Sequence, residues 1–345
     1  MANEFNIRNI SEENLADFLK QHCQQSFRAK QIMQWIWQKG VTSFEDMTNL
    51  PKQLRDLLNE KFYFDGLREA HSEISNDTTN KTLWQLYDGE HVESVLIPSK
   101  DRYTVCVSSQ VGCKLGCKFC ATATLGFKRN LNRGEIFEQV FRASNEAQKR
   151  NGNLSNIVFM GMGEPLLNYE NVLQAIDRIT SPQGLGMSPA RITLSTAGIV
   201  EGIKKLADDK VRFNLAVSLH SAKDEIRSHL MPVNRMSNLH DLAESLKYFV
   251  NKTDSRPTFE YLLLKGVNDS LSDAVALAAY CRQFPVKVNI IEYNESPQSS
   301  YNASTEKDRD TFVSYLENKN MIVNIRRSKG KDIAAACGQL ANRFS

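Results

Sequence analysis

The sequence predicts an α/β protein made mainly of repeated strand–helix units, preceded by a small helical module and a short β segment. From Tyr103 onward, short apolar and β-branched runs alternate with amphipathic segments of helical length. Such alternation indicates right-handed βαβ units and a parallel sheet. Before about residue 70, the apolar residues instead recur at helical spacing.

Three short helices are predicted within residues 1–70, which we interpret as a helical accessory domain. Ser11 can cap the first helix and Ser26 the second. Gly40 lies just past the end of the second helix, where a left-handed residue often stands. Pro51 fits the first position of the third helix.

Residues 71–100 are predicted to form a β-hairpin extension between the helical module and the core. Segments 82–88 and 90–98 have strand composition, and Asp88-Gly89 between them is a hairpin turn signal.

The core is predicted to run from residue 101 to residue 345. Its predicted strands lie at 103–108, 156–160, 191–196, 212–218, 258–264, 287–292 and 321–326. Its predicted helices lie at 134–149, 169–180, 198–207, 238–250, 271–283 and 304–318. About six such units can form a full barrel, a partial barrel or an open doubly wound sheet, and periodicity does not choose between them.

The composition of the chain limits which partners it is expected to bind and in which cellular compartment it is expected to work. The net charge of +3 is too small to indicate nucleic-acid binding by itself. Two clusters of basic residues flank cysteines and suit either a polyanion or a solvated surface: Arg102, Lys114, Lys118, Lys128, Arg129 and Arg133, and then Arg326, Arg327, Lys329 and Lys331.

The N-terminal residues lack the form of a signal peptide, and no apolar run reaches the length of a membrane span. Seven unevenly spaced cysteines do not resemble a secreted disulfide framework, so a cytoplasmic location is expected.

Three closely spaced cysteines give the strongest chemical signal. Cys113, Cys117 and Cys120 follow the pattern C-x3-C-x2-C, and thiolates at such intervals can converge on one metal centre. A structural zinc site needs four ligands, but no fourth cysteine or histidine follows nearby. On a cubane iron–sulfur cluster, three thiolates leave one iron open to a small molecule, which favours catalysis. Zinc binding and free buried thiols are the alternatives.

This pattern, with Phe119 before the last cysteine, resembles the radical S-adenosylmethionine (SAM) superfamily. The wider match is to its RNA adenine C2-methyltransferases, carried by VSSQVGCKLGCKFCATATLGFKRNL, MGMGEPLLN at 160–168, LSTAG at 194–198, SLH at 218–220 and AACGQL at 335–340. The resemblance implies a partial (β/α)6 barrel and one [4Fe-4S] cluster held by Cys113, Cys117 and Cys120. It also implies SAM chelated to the open iron, with two SAM molecules used per turnover.

The same resemblance implies a SAM pocket at the carboxyl ends of the strands. Gly163 and Glu164 are expected to contact the α-ammonium group, and Ser195 the ribose or the carboxylate. The pocket is expected to be completed by Ser218, Leu219, His220 and Asn294. On its own, His220 would be read as a structural histidine, and Phe119 as a core residue or as packing near the cluster.

Three further residues are implied to be catalytic. Cys337 matches the cysteine that one SAM methylates, after which the radical from a second SAM activates that methyl group for addition to adenine C2. Cys106 matches the thiol that then attacks Cys337, releasing the base and leaving a disulfide. Glu93 matches the base that removes the C2 proton. From residues alone, Cys337 in its alanine-rich context reads as an inert thiol, and Glu93 as a strand residue. Cys23 and Cys281 have no motif and are interpreted as structural cysteines in helices.

The expected activity is therefore methylation of adenine C2 in 23S rRNA, at the peptidyl-transferase centre, and in tRNA beside the anticodon. A flavodoxin or ferredoxin is the expected electron donor, and a monomer the expected state. The alternatives are C8 methylation, as in the sister family, a noncatalytic iron–sulfur or zinc RNA-binding protein, and a radical SAM enzyme acting on a small molecule or peptide. Pro165 favours the C2 family.

Overall fold

A computed structural model describes residues 5–294 and 300–341. The first four residues of the predicted helical domain and the last four of the predicted core lie outside the described residues. The helices are α1 (Glu12–Gln21), α2 (Arg28–Trp37), α3 (Lys52–Lys61), α4 (Arg133–Lys149), α5 (Tyr169–Thr180), α6 (Val200–Asp208), α7 (Asp224–Leu230), α8 (Leu239–Thr253), α9 (Leu271–Cys281) and α10 (Glu306–Glu317). The strands are β1 (Phe5–Asn6), β2 (Phe62–Tyr63), β3 (Arg68–Ile74), β4 (Asn80–Gln85), β5 (His91–Ser99), β6 (Arg102–Cys106), β7 (Gln110–Gly112), β8 (Phe127–Asn130), β9 (Asn153–Phe159), β10 (Ile192–Thr196), β11 (Asn214–Ser218), β12 (Thr258–Leu263), β13 (Lys287–Glu292) and β14 (Val323–Arg326).

One large sheet organises the core. Within the described residues its order is β14-β13-β12-β11-β10-β9-β6-β5-β4-β3. All neighbours from β6 to β14 are parallel and follow chain order. A doubly wound sheet reverses its strand order at a switch point, and this sheet does not. The six strand–helix units therefore form the predicted partial barrel, and β14 follows as a last strand.

The predicted β segment continues this sheet. β4 and β5 are antiparallel on either side of Asp88-Gly89, and Gly89 has a φ of 83°, so the predicted hairpin is confirmed. The pairing of β5 with β6 is also antiparallel and joins the hairpin to the barrel. β3 was not predicted as a strand, because its residues are mostly polar and lack apolar alternation. The domain limits near residues 70 and 100 stay predictions.

The N-terminal helices confirm one of the predicted caps and correct another. The Ser11 hydroxyl accepts the Asn14 N–H at 3.0 Å. Ser26 is not a cap, because Phe27 precedes α2 in helical conformation and no side chain caps that helix. Pro51 is extended and directly precedes α3, which begins one residue later than predicted.

A buried ion pair fastens the helical module to the barrel. Arg8 Nη1 lies 2.5 Å from Glu138 Oε2 on α4, and the two side chains are 1% and 2% exposed. The Arg8 guanidinium also donates to the carbonyl oxygens of Asp65 and Val41. Arg133 on α4 donates to the Arg8 carbonyl oxygen at 2.6 Å and so adds a second contact between the barrel and the module. Among the described residues, no helix is long and apolar enough to cross a membrane.

We expect Arg8→Met to lower the free energy of unfolding by about 3 kcal/mol, because it leaves the Glu138 carboxylate buried with less compensation. Urea unfolding of the wild type and the variant measures this difference. Lys20→Met, which breaks the exposed Lys20–Asp17 pair, is the matched control and should barely change stability. Equal losses for both variants would contradict a special role for the buried pair.

Candidate active site

The carboxyl ends of the parallel strands surround one cavity with about 1000 Å³ of empty space, including its open mouth. Residues from the loop after β6, the turn after β9 and the ends of β10, β11 and β13 line it. Among the lining residues are Cys113, Cys117, Cys120, Phe119, Gly163, Glu164, Ser195, Ser218, His220, Tyr293 and Cys337.

A two-stranded ribbon holds the base of the cysteine loop. β7 ends directly before Cys113, and β8 pairs with it antiparallel. The Cys113 N–H donates to the Gly126 carbonyl oxygen at 2.9 Å. Gly112 has a φ of 70°, and a Cβ there would meet that same oxygen at 1.7 Å, so only glycine fits. The ribbon was not predicted from the sequence, because both strands are too short to show the alternation of apolar and polar residues that identifies a strand.

The three cysteines fit a cluster better than a single ion. All three are half-buried and line one cavity. In the described part of the chain, no three His, Cys, Asp or Glu side chains converge tightly enough to hold one metal ion. Ligands of separate irons in a cluster can stand farther apart. Leu115, Cys117 and Phe119 are partly buried and pack against a cluster of apolar side chains.

Burial controls the charge of these thiols. It raises the pKa of Cys113 to about 11 and places the pKa of Cys117 higher still. For Cys117, the neighbouring Cys120 and Cys113 thiols raise the pKa further. Thiolates here therefore need a positively charged partner, and iron supplies one.

Glu164 is a buried carboxylate at the cavity wall. Its Oε1 accepts the Leu166 N–H at 3.0 Å, and its Oε2 accepts the Ala197 N–H at 2.7 Å. Burial raises the pKa of Glu164 to about 7, although these backbone bonds oppose the rise. Each carboxylate oxygen retains the capacity to accept a second donor, such as an amino group.

The turn before Glu164 requires glycine. Gly163 has a φ of 98°, and a Cβ there would lie 2.5 Å from the Gln110 side chain. A Cβ on Gly161 would lie 2.7 Å from the backbone of Val107. The backbone can therefore pack closely beneath the cavity.

His220 is neutral and fixed in one tautomer. Its Nδ1 accepts the Leu262 N–H at 3.0 Å, so Nε2 carries the proton. Burial lowers the pKa of His220 to about 3, and the Arg227 guanidinium adds to this effect. The ring meets Phe119 edge-on, with centroids 4.7 Å apart. A φ of 56° for this non-glycine residue marks a strained backbone at the rim.

Two predicted pocket residues do not line the cavity. Leu219 is fully buried, and its carbonyl oxygen accepts the Arg227 Nε–H at 3.2 Å. Asn294 donates through Nδ2 to the Ser328 hydroxyl at 2.7 Å. Its Oδ1 is buried with no partner within residues 5–294 and 300–341, so an acceptor is available there. Their roles in binding stay predictions.

Sequence reasoning missed two residues of the cavity. The Tyr293 hydroxyl is buried and has no partner in the part of the chain that the structure describes. Its place at the end of β13, directly before Asn294, was the available signal. Glu260 on β12 accepts Arg326 Nη1 at 3.3 Å on both carboxylate oxygens. Nothing in its strand sequence distinguishes it from a core position.

A second cavity adjoins the first. It contains about 730 Å³ of empty space and is lined by Cys106, Cys337 and Arg326, among others. Cys337 lines both cavities. It belongs to the C-terminal loop (residues 328–341), which follows β14. The structure thus brings together the cluster cysteines, the predicted methyl carrier and the predicted resolving thiol.

Neither of these two thiols is in a disulfide, and burial disfavours the thiolate form of both. All seven cysteines are free. Burial raises the pKa of Cys106 to about 12, and the Cys337 thiol raises it further. The pKa of Cys337 rises to about 11, although its side chain is accessible, because that accessible surface lies inside the recessed cavities. The Arg326 guanidinium opposes both shifts.

Glu93 lies on β5 beside Cys106, facing the same side of the sheet. Val95, two residues further along β5, pairs with Cys106 on β6. The Glu93 side chain is 1% exposed, and its Oε1 lies 3.8 Å from Lys81 Nζ. Its Oε2 accepts the Ala341 N–H of the C-terminal loop at 2.8 Å. The carboxylate is therefore buried and held close to the loop that carries Cys337.

The remaining two cysteines lie away from the cavities. Cys281 is buried at the end of α9, and burial raises its pKa to about 12. Cys23 lies beyond the end of α1 with a φ of 56°, so its predicted position inside a helix is wrong. Neither residue lines the two cavities described above.

Comparison with known proteins assigns the family. Residues 5–64 match the ribosomal RNA large subunit methyltransferase N-terminal domain, and residues 107–278 match the radical SAM superfamily. A probable dual-specificity RNA methyltransferase RlmN from Flavobacterium johnsoniae is 50% identical over 338 residues, covering 98% of this chain and 97% of that protein. The chain belongs to the RlmN family.

A further RlmN relative and one solved structure support this assignment. The dual-specificity RNA methyltransferase RlmN of Nitratiruptor sp. is 43% identical, covering 96% of this chain and 98% of that protein. The crystal structure of a radical SAM methyltransferase from Sphaerobacter thermophilus superposes with a TM-score of 0.93 and is 38% identical, covering 98% of this chain and 99% of that chain. Membership in the RlmN family confirms the predictions of a radical SAM methyltransferase, a [4Fe-4S] cluster and SAM.

The basic clusters are only partly available for RNA. Arg129 pairs with Asp88 and Glu135. Arg133 binds backbone carbonyls of the helical module. The exposed members of both clusters are Arg102, Lys114, Lys118, Lys128, Arg326, Arg327, Lys329 and Lys331. Several of these residues stand beside the cysteine loop or the C-terminal loop, so positive charge does border the cavities.

Proposed function

We propose that this RlmN-family enzyme methylates C2 of adenine in 23S rRNA, at the peptidyl-transferase centre, and in tRNA beside the anticodon. The observation that carries the proposal is the position of Cys337, which lines both the cavity of the candidate cluster ligands and the cavity of Cys106. A carrier thiol must reach the methyl donor and then the resolving thiol, and this position serves both.

The first cavity binds the cofactors. Cys113, Cys117 and Cys120 hold the cluster, which supplies the electron for reductive cleavage of SAM when it is bound. Glu164 accepts hydrogen bonds from the SAM amino group, and the Gly163 turn lets the backbone approach it. Ser195, Ser218 and His220 line the same cavity and complete the binding groups, to which the geometry adds the Tyr293 hydroxyl. Leu219 and Asn294 do not line the cavity, so they act on SAM indirectly, from positions next to it.

Cys337 carries the one-carbon unit. Its thiolate attacks the methyl carbon of one SAM, forming an S–CH3 bond, breaking the sulfonium–methyl bond and releasing S-adenosylhomocysteine. Because the pKa of Cys337 is about 11, the thiolate is scarce at neutral pH. The Arg326 guanidinium stabilises that thiolate and so favours the displacement.

Glu93 and Cys106 complete the transfer. The radical from a second SAM would remove a hydrogen atom from the S-methyl group, and the resulting carbon radical adds to C2. The Glu93 carboxylate then removes the C2 proton, and the unpaired electron passes to an acceptor, a role that the oxidised cluster would fill when bound. The Cys106 sulfur then attacks the Cys337 sulfur, forming the disulfide and breaking the Cys337 sulfur–carbon bond. The electron pair of that bond stays with the carbon, which takes a proton and becomes the methyl group. A cellular dithiol later reduces the disulfide.

The partners follow from this chemistry. The target adenine must leave its stack to reach a recessed cavity, as in other enzymes that act on bases. A flavodoxin or ferredoxin supplies electrons to the cluster, and the enzyme acts as a monomer. A disulfide that is reset in each cycle requires a reducing compartment, so we infer that the enzyme works in the cytoplasm.

The decisive experiment is anaerobic turnover with SAM, a reductant and fragments of 23S rRNA or tRNA, followed by nucleoside mass spectrometry. The expected product is 2-methyladenosine from both RNAs. 8-Methyladenosine would contradict C2 specificity while keeping the site assignments. Formation of 5′-deoxyadenosine without a methylated base would contradict the proposed substrates.

Cys106→Ala should trap protein covalently bound to RNA, because nothing then attacks the Cys337 sulfur. Denaturing gel electrophoresis with labelled RNA measures the crosslinked fraction. Cys337→Ala is the control and should give neither crosslink nor methylated RNA. Normal turnover by Cys106→Ala would remove Cys106 from the role of resolving thiol.

SAM affinity should depend on the ionisation of Glu164. The charged carboxylate binds the amino group, so affinity should be about half its maximum near pH 7, approach the maximum above it, and fall about tenfold for each pH unit well below it. Equilibrium dialysis of the anaerobic holoenzyme between pH 5.5 and pH 7.5 measures this. Glu164→Gln should bind weakly with no such slope, and a flat wild-type profile would exclude Glu164 as the ligand of the amino group.

A further inference from the structure

One row of the sheet places a lysine beside the proposed chemistry. Lys81 on β4 pairs with Val95 on β5, and Val95 pairs with Cys106 on β6. Residues that pair directly across neighbouring strands share a face, so Lys81, Val95 and Cys106 point to the same side. Glu93 is the diagonal neighbour of Lys81 on that face, since it pairs with Leu83.

Lys81 is almost fully buried between two carboxylates. Its side chain is 4% exposed, and Nζ lies 2.9 Å from Glu73 Oε2 and 3.8 Å from Glu93 Oε1. A buried ammonium group is costly, and an apolar residue would fill a strand position more cheaply. Strand packing alone therefore does not explain why a lysine stands at this buried position.

The lysine and Glu93 hold the C-terminal loop on both sides of Cys337. Lys81 Nζ donates to the Ile333 carbonyl oxygen at 2.7 Å, four residues before Cys337. Glu93 Oε2 accepts the Ala341 N–H at 2.8 Å, four residues after it. The two tethers start from neighbouring strands and end on either side of the carrier cysteine.

Further hydrogen bonds hold the C-terminal loop at other points, which are not placed evenly before and after Cys337. The Asp332 carboxylate accepts the Ser75 hydroxyl at 2.5 Å and the Asn76 N–H at 3.0 Å, both from the turn between β3 and β4. On the side of the cluster loop, the Ala121 N–H donates to the Gly338 carbonyl oxygen at 2.7 Å. Lys81 and Glu93 differ from these groups because they lie on the face that also carries Cys106.

We propose that Lys81 is a positioning residue, which together with Glu93 clamps the C-terminal loop so that the Cys337 sulfur stays within reach of Cys106. The inference rests on the proposed function for the roles of the two cysteines. Attack of one thiol on the other requires close approach, and a tethered loop raises their effective concentration. Lys81 thus acts through the loop and does not touch the substrate.

The test measures the equilibrium constant for the Cys106–Cys337 disulfide. Anaerobic holoenzyme is equilibrated in glutathione buffers, where one glutathione disulfide oxidises the two thiols and becomes two glutathione molecules. Acid quenching, alkylation and peptide mass spectrometry give the disulfide fraction, and the cluster absorbance reports the integrity of the cluster. This readout requires neither RNA nor SAM.

Lys81→Met keeps the chain length but removes the ammonium group, so the equilibrium constant should fall at least about tenfold, equivalent to roughly 30 mV in potential. Lys204→Met, in an exposed pair on α6, is the matched control and should equal the wild type. If circular dichroism shows that Lys81→Met is unfolded, Lys81→Gln replaces it, with the same expected decrease.

Two results would overturn the proposal and are distinguishable. A Lys81 variant within about twofold of the wild type would show that the loop does not depend on the clamp, and would leave the proposed function intact. If the wild type forms no Cys106–Cys337 disulfide in the most oxidising buffer, the pairing of these cysteines fails, and the clamp fails with it.

Discussion

The antiparallel pairing of β5 with β6 is the contact on which the site depends. It joins the β extension to the parallel barrel, so that one sheet carries both Glu93 and Cys106. Because side chains alternate across a strand, a slip of one residue in this register would turn Cys106 away from the face of Lys81 and Glu93. The carboxyl ends of the parallel strands gather the cofactor residues, while this one antiparallel ladder adds the groups that act on the carrier cysteine.

Burial disfavours the charged form of several ionisable groups of the site, because removal from water destabilises a charge. It raises the pKa of Cys113 to about 11 and that of Glu164 to about 7, and it lowers that of His220 to about 3. Cys113, Cys117 and His220 are therefore neutral before any ligand binds, and the Glu164 carboxylate is half ionised at neutral pH. Positively charged ligands, such as iron and the SAM cation, reverse the balance for the thiols and for Glu164. The cavity thus favours its own cofactors electrostatically.

Much of this arrangement follows from the sequence, because long segments with clear periodicity dominate the core. The helix at 169–180 and the strand at 287–292 match the predicted limits, and the cysteine spacing favours a cluster with an open iron over a structural zinc site. The remaining features lack a local signal. β3 is polar because much of it is exposed, and Lys81 is an unremarkable residue in a strand until the C-terminal loop is placed above it. Contacts between residues separated by some 250 positions in the chain leave no periodicity to read.

The location of the carrier cysteine on a loop has a physical reason. A side chain on a strand faces one side of the sheet, whereas Cys337 has to serve two cavities. A loop allows this, but an unrestrained loop would lower the effective concentration of the thiols that must meet. The chain combines small residues around Cys337 and a left-handed backbone at Ala334, with a φ of 50°, with side-chain tethers on both sides. Lys81 and Glu93 hold the backbone four residues to either side of Cys337, and the Ala121 N–H holds the Gly338 carbonyl oxygen directly after it. The freedom that the two cavities require therefore lies in rotation of the Cys337 side chain.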